Sequence, residues 1–364
     1  MNPESPHSSH ALDTYSPEEA EAVVGGSAPG SLPTPVSPVV FAEARHTFSK
    51  VGIAYTALVV ALLAASYAIQ YAVYFTAPAW LSTWWMNWVL SLVPLYGCGL
   101  PVMWALLRRI PASPHNPTFA RYGTEADKPS FHAGHFLILL IIAFGTMTAG
   151  GLIGNIVMLL LSSFVGYDYA NALSDLVSQS PVWVTFIGAC ICAPFGEELL
   201  FRKLLIDRTR RFGDLPSILL SGLLFGLFHG NFFQFFYAAA VGMILAYLYT
   251  RTGKYLLCVI MHAIVNFMGS IVTPYLVTLL PEDLITFTHP AQPLVYLFLL
   301  LWQYGMLIAG IALFCSLFSR RKLSRGTTPL YRENGASILL LNRGMPVCLA
   351  VMLIVMAVSL IPKL

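Results

Sequence analysis

Long apolar runs separated by short polar links occupy nearly the whole chain after its first fifty residues. Runs near 51–75, 84–107, 135–165, 181–203, 215–232, 234–250, 255–280, 293–318 and 346–362 approach or exceed spanning length, since a bilayer core takes about 20 apolar residues as helix. The last run is the shortest. The pattern predicts an all-α polytopic transmembrane helix bundle of about 8–9 spans. Gly150, Gly151 and Gly154 interrupt the third run, where the helix is expected to tilt, kink or pack a neighbour closely.

Composition agrees with the pattern. The chain is 57% hydrophobic and 10% charged, against about 25% charged in a soluble domain, and its mean hydropathy is +0.71. The net charge of +3 matters less than its distribution, which points to a lipid bilayer as the surrounding partner and to no nucleic acid. Residues 1–44 hold six acids, no Lys or Arg, and much Pro, Ser and Gly. They lack the basic and apolar segments of a signal peptide. Residues 1–45 therefore read as a disordered acidic cytoplasmic tail, and 46–364 as the membrane domain. All six cysteines (Cys98, Cys190, Cys192, Cys258, Cys315, Cys348) fall in apolar runs without metal-knuckle spacing and read as packing residues.

The loops give an orientation. Arg45 and Lys50 precede the first run; Arg108, Arg109, Arg121 and Lys128 follow the second. Arg202 to Arg211 follow the fourth, Arg251 and Lys254 the sixth, and Arg320, Arg321, Lys322, Arg325, Arg332 and Arg343 the eighth. The intervening links Thr76–Thr83, Gly166–Ser180, Gly230–Phe233 and Pro281–Pro293 hold no Lys or Arg. Under the positive-inside rule this alternation places the N-terminus in the cytoplasm and the C-terminus outside. Trp84, Trp85, Trp88 and Trp183 lie near predicted ends, as in an interfacial aromatic belt.

Against this apolar background a few polar side chains stand out. Glu197, Glu198 and Arg202 fall inside the fourth run, where each charge costs roughly 2.5–3.5 kcal/mol unless paired or wet. Glu198 and Arg202 are four apart, share a helix face and can neutralise one another. Glu197 points a quarter-turn away and is left for a ligand; the plainer alternative is two glutamates bridging the basic cluster at an interface. Phe225 with His229, and His262 with Asn266, are further pairs at helical spacing. Each alone could be a satisfied structural group. Together, two carboxylates, two imidazoles and an amide supply a base, a second acid/base and oxyanion donors, the inventory for amide hydrolysis. Glu and two His also suit zinc, so a metal stays open at this point, although no His-Glu-x-x-His helix is present. No Ser or Cys obviously pairs with a His, which argues against an acyl-enzyme.

Helical rise sets the depth of these groups. His262, Asn266 and His229 all lie about 12–20 Å from the nearest basic link. Glu197 comes level with them only if the fourth helix continues past Arg202 to Arg211, with Arg202, Lys203 and Asp207 facing protein or water and Pro194 bending the helix. Glu197, His229, His262 and Asn266 are then expected to line one polar cavity.

Glu197-Glu198-x-x-x-Arg202, Phe225-x-x-x-His229 and His262-x-x-x-Asn266, in that order, resemble the three motifs of the CPBP family. That family includes type II CAAX prenyl endopeptidases, bacteriocin-processing or self-immunity membrane proteins and lysostaphin-resistance-like proteins. The similarity covers about 180–275; Lys203 departs from the glycine common there. The resemblance implies a metal-independent, glutamate-type intramembrane endopeptidase, with no cofactor, acting on a membrane-associated or lipidated peptide near the cytoplasmic side of a bacterial cell membrane. It implies that Glu197 activates water with help from His229, that His262 and Asn266 stabilise the oxyanion, and that Glu198, Arg202 and Phe225 hold the geometry. Rival readings are a catalytically silent scaffold or regulator of the same family, a zinc-dependent membrane protease and a transporter. The absence of an internal repeat weighs against the last.

Overall fold

The computed structural model describes residues 38–112, 131–281, 286–318, 323, 326, 328, 330 and 332–361. The acidic tail up to residue 37, and Arg121, Lys128, Arg320, Arg321, Lys322 and Arg325, lie outside them. Every predicted apolar run is helical, and no strand occurs among the described residues. In chain order the apolar helices are α1 (Val40–Thr76), α2 (Trp84–Leu107), α3 (Ala133–Val165), α4 (Val182–Phe212), α5 (Asp214–Phe228), α6 (Phe232–Thr252), α7 (Tyr255–Val277), α8 (Gln292–Leu317) and α9 (Met345–Val358). Seven of these are long and apolar enough to cross a membrane; α5 and α9 are shorter. The described residues from Val39 onward belong to one compact unit.

One boundary departs from the expected one for a physical reason, and another extends as the depth argument expects. Pro38 opens the first helix, its fixed φ suiting a first turn. Arg45 and Lys50 therefore lie inside α1 rather than ahead of it. From Pro38 the whole helix has 39 residues, of which the apolar span α1 takes 37; that span is roughly 55 Å long, more than the hydrocarbon core of about 30 Å needs. Its first turns dock on the end of α4: Phe48 meets Phe212 with ring centroids 5.3 Å apart, and Arg211 pairs with Glu43 at 2.6 Å. The fourth helix runs on to Phe212, as the depth argument requires. Arg202 and Asp207 are buried there, while Lys203 is half exposed and reaches Asp207 at 3.1 Å.

The basic links gather at one end of the bundle. Arg208 Nε donates to the Leu107 carbonyl at 2.7 Å, joining the ends of α4 and α2. An Arg210 amino group donates to the Thr250 carbonyl at 2.6 Å, joining α4 to α6. Arg45 donates to the Leu341 carbonyl just ahead of α9. The Tyr169 hydroxyl, in a link without Lys or Arg, donates to the Leu360 carbonyl beyond the far end of α9. The start of α1 and the end of α9 thus lie at opposite ends.

Close helix contacts appear where small residues allow them. A Cβ at Gly150 would come within 2.5 Å of the Tyr237 backbone, and one at Gly154 within 2.8 Å of the Phe232 carbonyl, whereas Gly151 faces open space. Trp183 is exposed, as a belt residue should be, but Trp88 is buried. Its indole donates to Ser180 Oγ at 2.9 Å and packs with Ala189 and Cys190, because Gly188 leaves a gap that the ring fills. Cys190, Cys258 and Cys348 are buried, Cys98 and Cys192 half-buried and Cys315 exposed; all six are free.

Candidate active site

The site is built on an irregular stretch of α4, and proline is the cause. The Ala193 N–H reaches back five residues to the Gly188 carbonyl, and the chain is π-wound over Phe186–Cys192. It is α-wound over Ala193–Glu198 and π-wound again over Leu199–Leu204. The Ala189 carbonyl loses both ordinary partners. Its α-helical donor, Ala193, is committed to Gly188, and the next residue, Pro194, has no N–H. Asn266 Nδ2 on α7 donates to this carbonyl at 2.8 Å. Side chains from other helices serve further carbonyls of the stretch. Tyr96 of α2 donates to Cys192 O at 2.6 Å and Tyr255 of α7 to Phe195 O at 2.6 Å. Tyr55 of α1 donates to Leu200 O at 2.9 Å and Ser221 of α5 to Phe201 O at 2.8 Å. Buried carbonyls without partners are costly. The distorted helix is therefore held in place from four neighbours, with Glu197 and Glu198 in the short α-helical turn between its two π segments, a common setting for functional residues.

The two glutamates have different surroundings. Glu198 is fully buried, and its Oε2 stands 2.9 Å from Arg202 Nε, also fully buried. The pair is in ionic contact with a bent geometry that falls short of a hydrogen bond. Another Arg202 nitrogen donates to Ser221 Oγ at 3.2 Å, and its guanidinium lies over the Phe225 ring, 4.9 Å from the centroid, a cation–π contact. The other Glu198 oxygen is 2.9 Å from His262 Nδ1. A carboxylate only accepts, so Nδ1 carries the hydrogen and Nε2 faces outward. It faces Glu197, whose Oε2 is 3.8 Å away, too far for a direct hydrogen bond. Glu197 keeps 14% of its side chain exposed.

Phe225 links the second motif to this chain of charges. Its ring lies 4.9 Å from the His229 ring and 5.6 Å from the His262 ring. Gly242 of α6 makes room for it, since a Cβ there would meet a Phe225 ring carbon at 2.9 Å. His229 ends α5 and is half-buried. Its Nδ1 is 2.8 Å from the Phe225 carbonyl, an acceptor, so its Nε2 is left for water or a ligand. The turn that follows, with Gly230 at φ +67° and Asn231 capping α6 by accepting from the Gln234 N–H, fixes His229 against Phe225.

Thus Glu197, Glu198, Arg202, Phe225, His229 and His262 form one connected group, while Asn266 is directed elsewhere. Its amide serves Ala189, two turns or about 12 Å along α4 from Glu197. The expectation that His262 and Asn266 aim at one oxygen is not met in this arrangement, because Pro194 leaves a carbonyl that Asn266 satisfies. Glu197 lines a cavity of about 270 Å³ whose other walls are apolar side chains with Ser66 and Ser91; His229, His262 and Asn266 are not among its lining residues. Of the four residues expected to share one polar cavity, Glu197 alone lines this one, and its walls are mainly apolar. Among the described residues no group of three His, Cys, Asp or Glu is arranged to hold a metal ion.

Sequence reasoning missed four supports. Ser221 holds Arg202 and the Phe201 carbonyl; its place four residues before Phe225 and eight before His229, on one helix face, was the available signal. Tyr255 stands seven residues before His262 on the same face of α7. Tyr55 and Tyr96 lie on helices remote in sequence, and no spacing rule reaches them.

Residues 179–268 match the family model described as Type II CAAX prenyl endopeptidase Rce1-like. No curated protein and no solved structure gives a significant match to the chain.

Proposed function

From the premise that residues 179–268 carry a Type II CAAX prenyl endopeptidase-like domain, in a chain whose described residues include seven helices long and apolar enough to span a bilayer, we propose an intramembrane endopeptidase in which Glu197 activates water without a metal. The observation that carries this reading is the division of labour between adjacent carboxylates. Glu198 is consumed by Arg202 and His262, while Glu197 stays partly exposed, faces His262 Nε2 and lines a cavity. Glu197 takes a proton from water as the hydroxide attacks the scissile carbonyl carbon. The tetrahedral intermediate then expels the amine, which receives that proton. His262, held in place at Nδ1 by Glu198, donates to the oxyanion from Nε2 when the ring is the imidazolium. His229 Nε2 acts as the second acid/base. The substrate is a membrane-associated or lipidated peptide, cut near the cytoplasmic side of a bacterial cell membrane.

The test uses the purified full chain in lipid nanodiscs with a synthetic peptide library, cleavage being read by mass spectrometry. Cleavage that persists in excess chelator and is lost in Glu197→Gln is expected. Cleavage abolished by the chelator and restored by zinc overturns the metal-independent mechanism. Cleavage retained by Glu197→Gln removes Glu197 as the base.

A further inference from the structure

The cavity beside Glu197 is walled mainly by residues outside the matched family segment. Leu62 and Ser66 come from α1, and Trp88, Ser91, Leu92 and Leu95 from α2; only Ala193, Glu197 and Phe228 belong to residues 179–268. We propose that this cavity is a specificity subsite that takes one large apolar side chain of the substrate, next to the scissile bond. The proposal rests on the protease reading above and names what that site accepts.

Size and chemistry both point to such an occupant. An apolar cavity of about 150 Å³ takes a benzene molecule, while sites for whole drug-sized ligands begin near about 300 Å³. At about 270 Å³ this one holds a single leucine, phenylalanine or tryptophan side chain and little more. Its hydroxyls are turned to the backbone: Ser66 donates to the Leu90 carbonyl at 3.1 Å and Ser91 to the Asn87 carbonyl at 2.8 Å. The Trp88 indole is likewise committed to Ser180. A polar group entering the cavity meets no donor on these side chains, and an acidic one meets Glu197. Since Glu197 is itself part of the wall, an apolar side chain seated there holds its own backbone beside the carboxylate. The adjoining amide is thereby placed at the base, which is the positioning that hydrolysis requires. Phe228 closes the wall one residue before His229, so the same side chain is bounded by both motifs.

The experiment compares cleavage-site profiles of a synthetic peptide library for the full chain, Ser66→Phe, Leu62→Ala and Glu197→Gln in nanodiscs. The unaltered chain is expected to select Leu, Phe or Trp at one position flanking the cut. Ser66→Phe narrows the cavity and should shift the choice toward Ala by about tenfold or more, while Leu62→Ala should shift it toward Trp by a similar factor; one methylene in an apolar pocket is worth roughly that much. If one variant does not fold, the other still reports. A library cut in a Glu197-dependent way, with the same side-chain preference in both cavity variants, overturns the subsite and leaves the protease reading standing; that is also the outcome if a bilayer acyl chain fills the cavity. A library left uncut overturns the protease reading and the subsite with it, and one cut equally by Glu197→Gln removes Glu197 as the base and overturns a subsite built beside that carboxylate.

Discussion

Asn266 Nδ2 donates at 2.8 Å to the carbonyl of Ala189, a group that Pro194 leaves without a backbone donor. The amide thus repairs a helix. Removing it leaves a partly buried carbonyl unsatisfied, at about 1–3 kcal/mol.

The first prediction is a coupling between these two positions. Asn266→Ala should destabilise the protein by about 1–3 kcal/mol in the native sequence and by clearly less in a Pro194→Ala background, where residue 194 regains an N–H. A double-mutant cycle on thermal unfolding in detergent measures this. Equal losses in both backgrounds would show that proline is not the reason Asn266 is needed.

The second prediction concerns Arg202. It is fully buried against Glu198, and Arg202→Ala strands a buried carboxylate, a change that costs roughly 3–5 kcal/mol. Abundance and melting temperature should fall sharply. Combining Arg202→Ala with Glu198→Gln removes the stranded charge and should recover part of the loss. A double variant less abundant than Arg202→Ala alone would mean that charge pairing does not explain the arrangement.

Topology gives the third prediction. From the alternation of basic links, with the start of α1 and the end of α9 at opposite ends of the bundle, the N-terminus is expected in the cytoplasm and the C-terminus outside. A thiol-reactive, membrane-impermeant label should reach a tag after Leu364 in intact cells and a tag ahead of Met1 only after permeabilisation. The reverse pattern inverts the bundle. A C-terminal tag labelled only after permeabilisation means that α9 does not cross.

Much of this is legible in the sequence because a bilayer simplifies it. The helix positions follow from run length alone, and the Glu198–Arg202 pair from spacing four on one face. The continuation of α4 to Phe212 follows from requiring the polar groups to be level. What spacing cannot supply is contact across helices. That His262 takes Glu198 on one nitrogen and faces Glu197 on the other depends on the rotation of α7 against α4, and that rotation is set by packing. Asn266 shares a face with His262, which suggests a joint role, but the winding forced near Pro194 gives its amide a different partner. The place of Trp88 in its run suggests the interface, yet Gly188 on another helix draws it inside.

The last prediction separates the adjacent glutamates by isosteric replacement. Glu197→Gln and Glu198→Gln each remove one charge and change almost no volume, so packing cancels from the comparison. Glu197 is partly exposed and lies 3.8 Å from His262; in the proposed mechanism its loss removes the general base and leaves the Glu198–Arg202 contact intact. Activity should fall by about 10²–10⁴-fold or more with a melting temperature close to that of the unaltered chain. Glu198→Gln takes the carboxylate away from a fully buried guanidinium and from the Nδ1 hydrogen of His262. It should lower the melting temperature markedly, by the roughly 3–5 kcal/mol of an uncompensated buried charge. The activity of the surviving folded fraction should also drop, because the introduced amide can turn its NH₂ toward Nδ1 and reverse the tautomer of His262. Thermal unfolding and turnover per folded molecule, measured on both variants in one detergent, separate the roles. If Glu197→Gln is the less stable variant and Glu198→Gln the less active per folded molecule, the assignments of base and support must be exchanged.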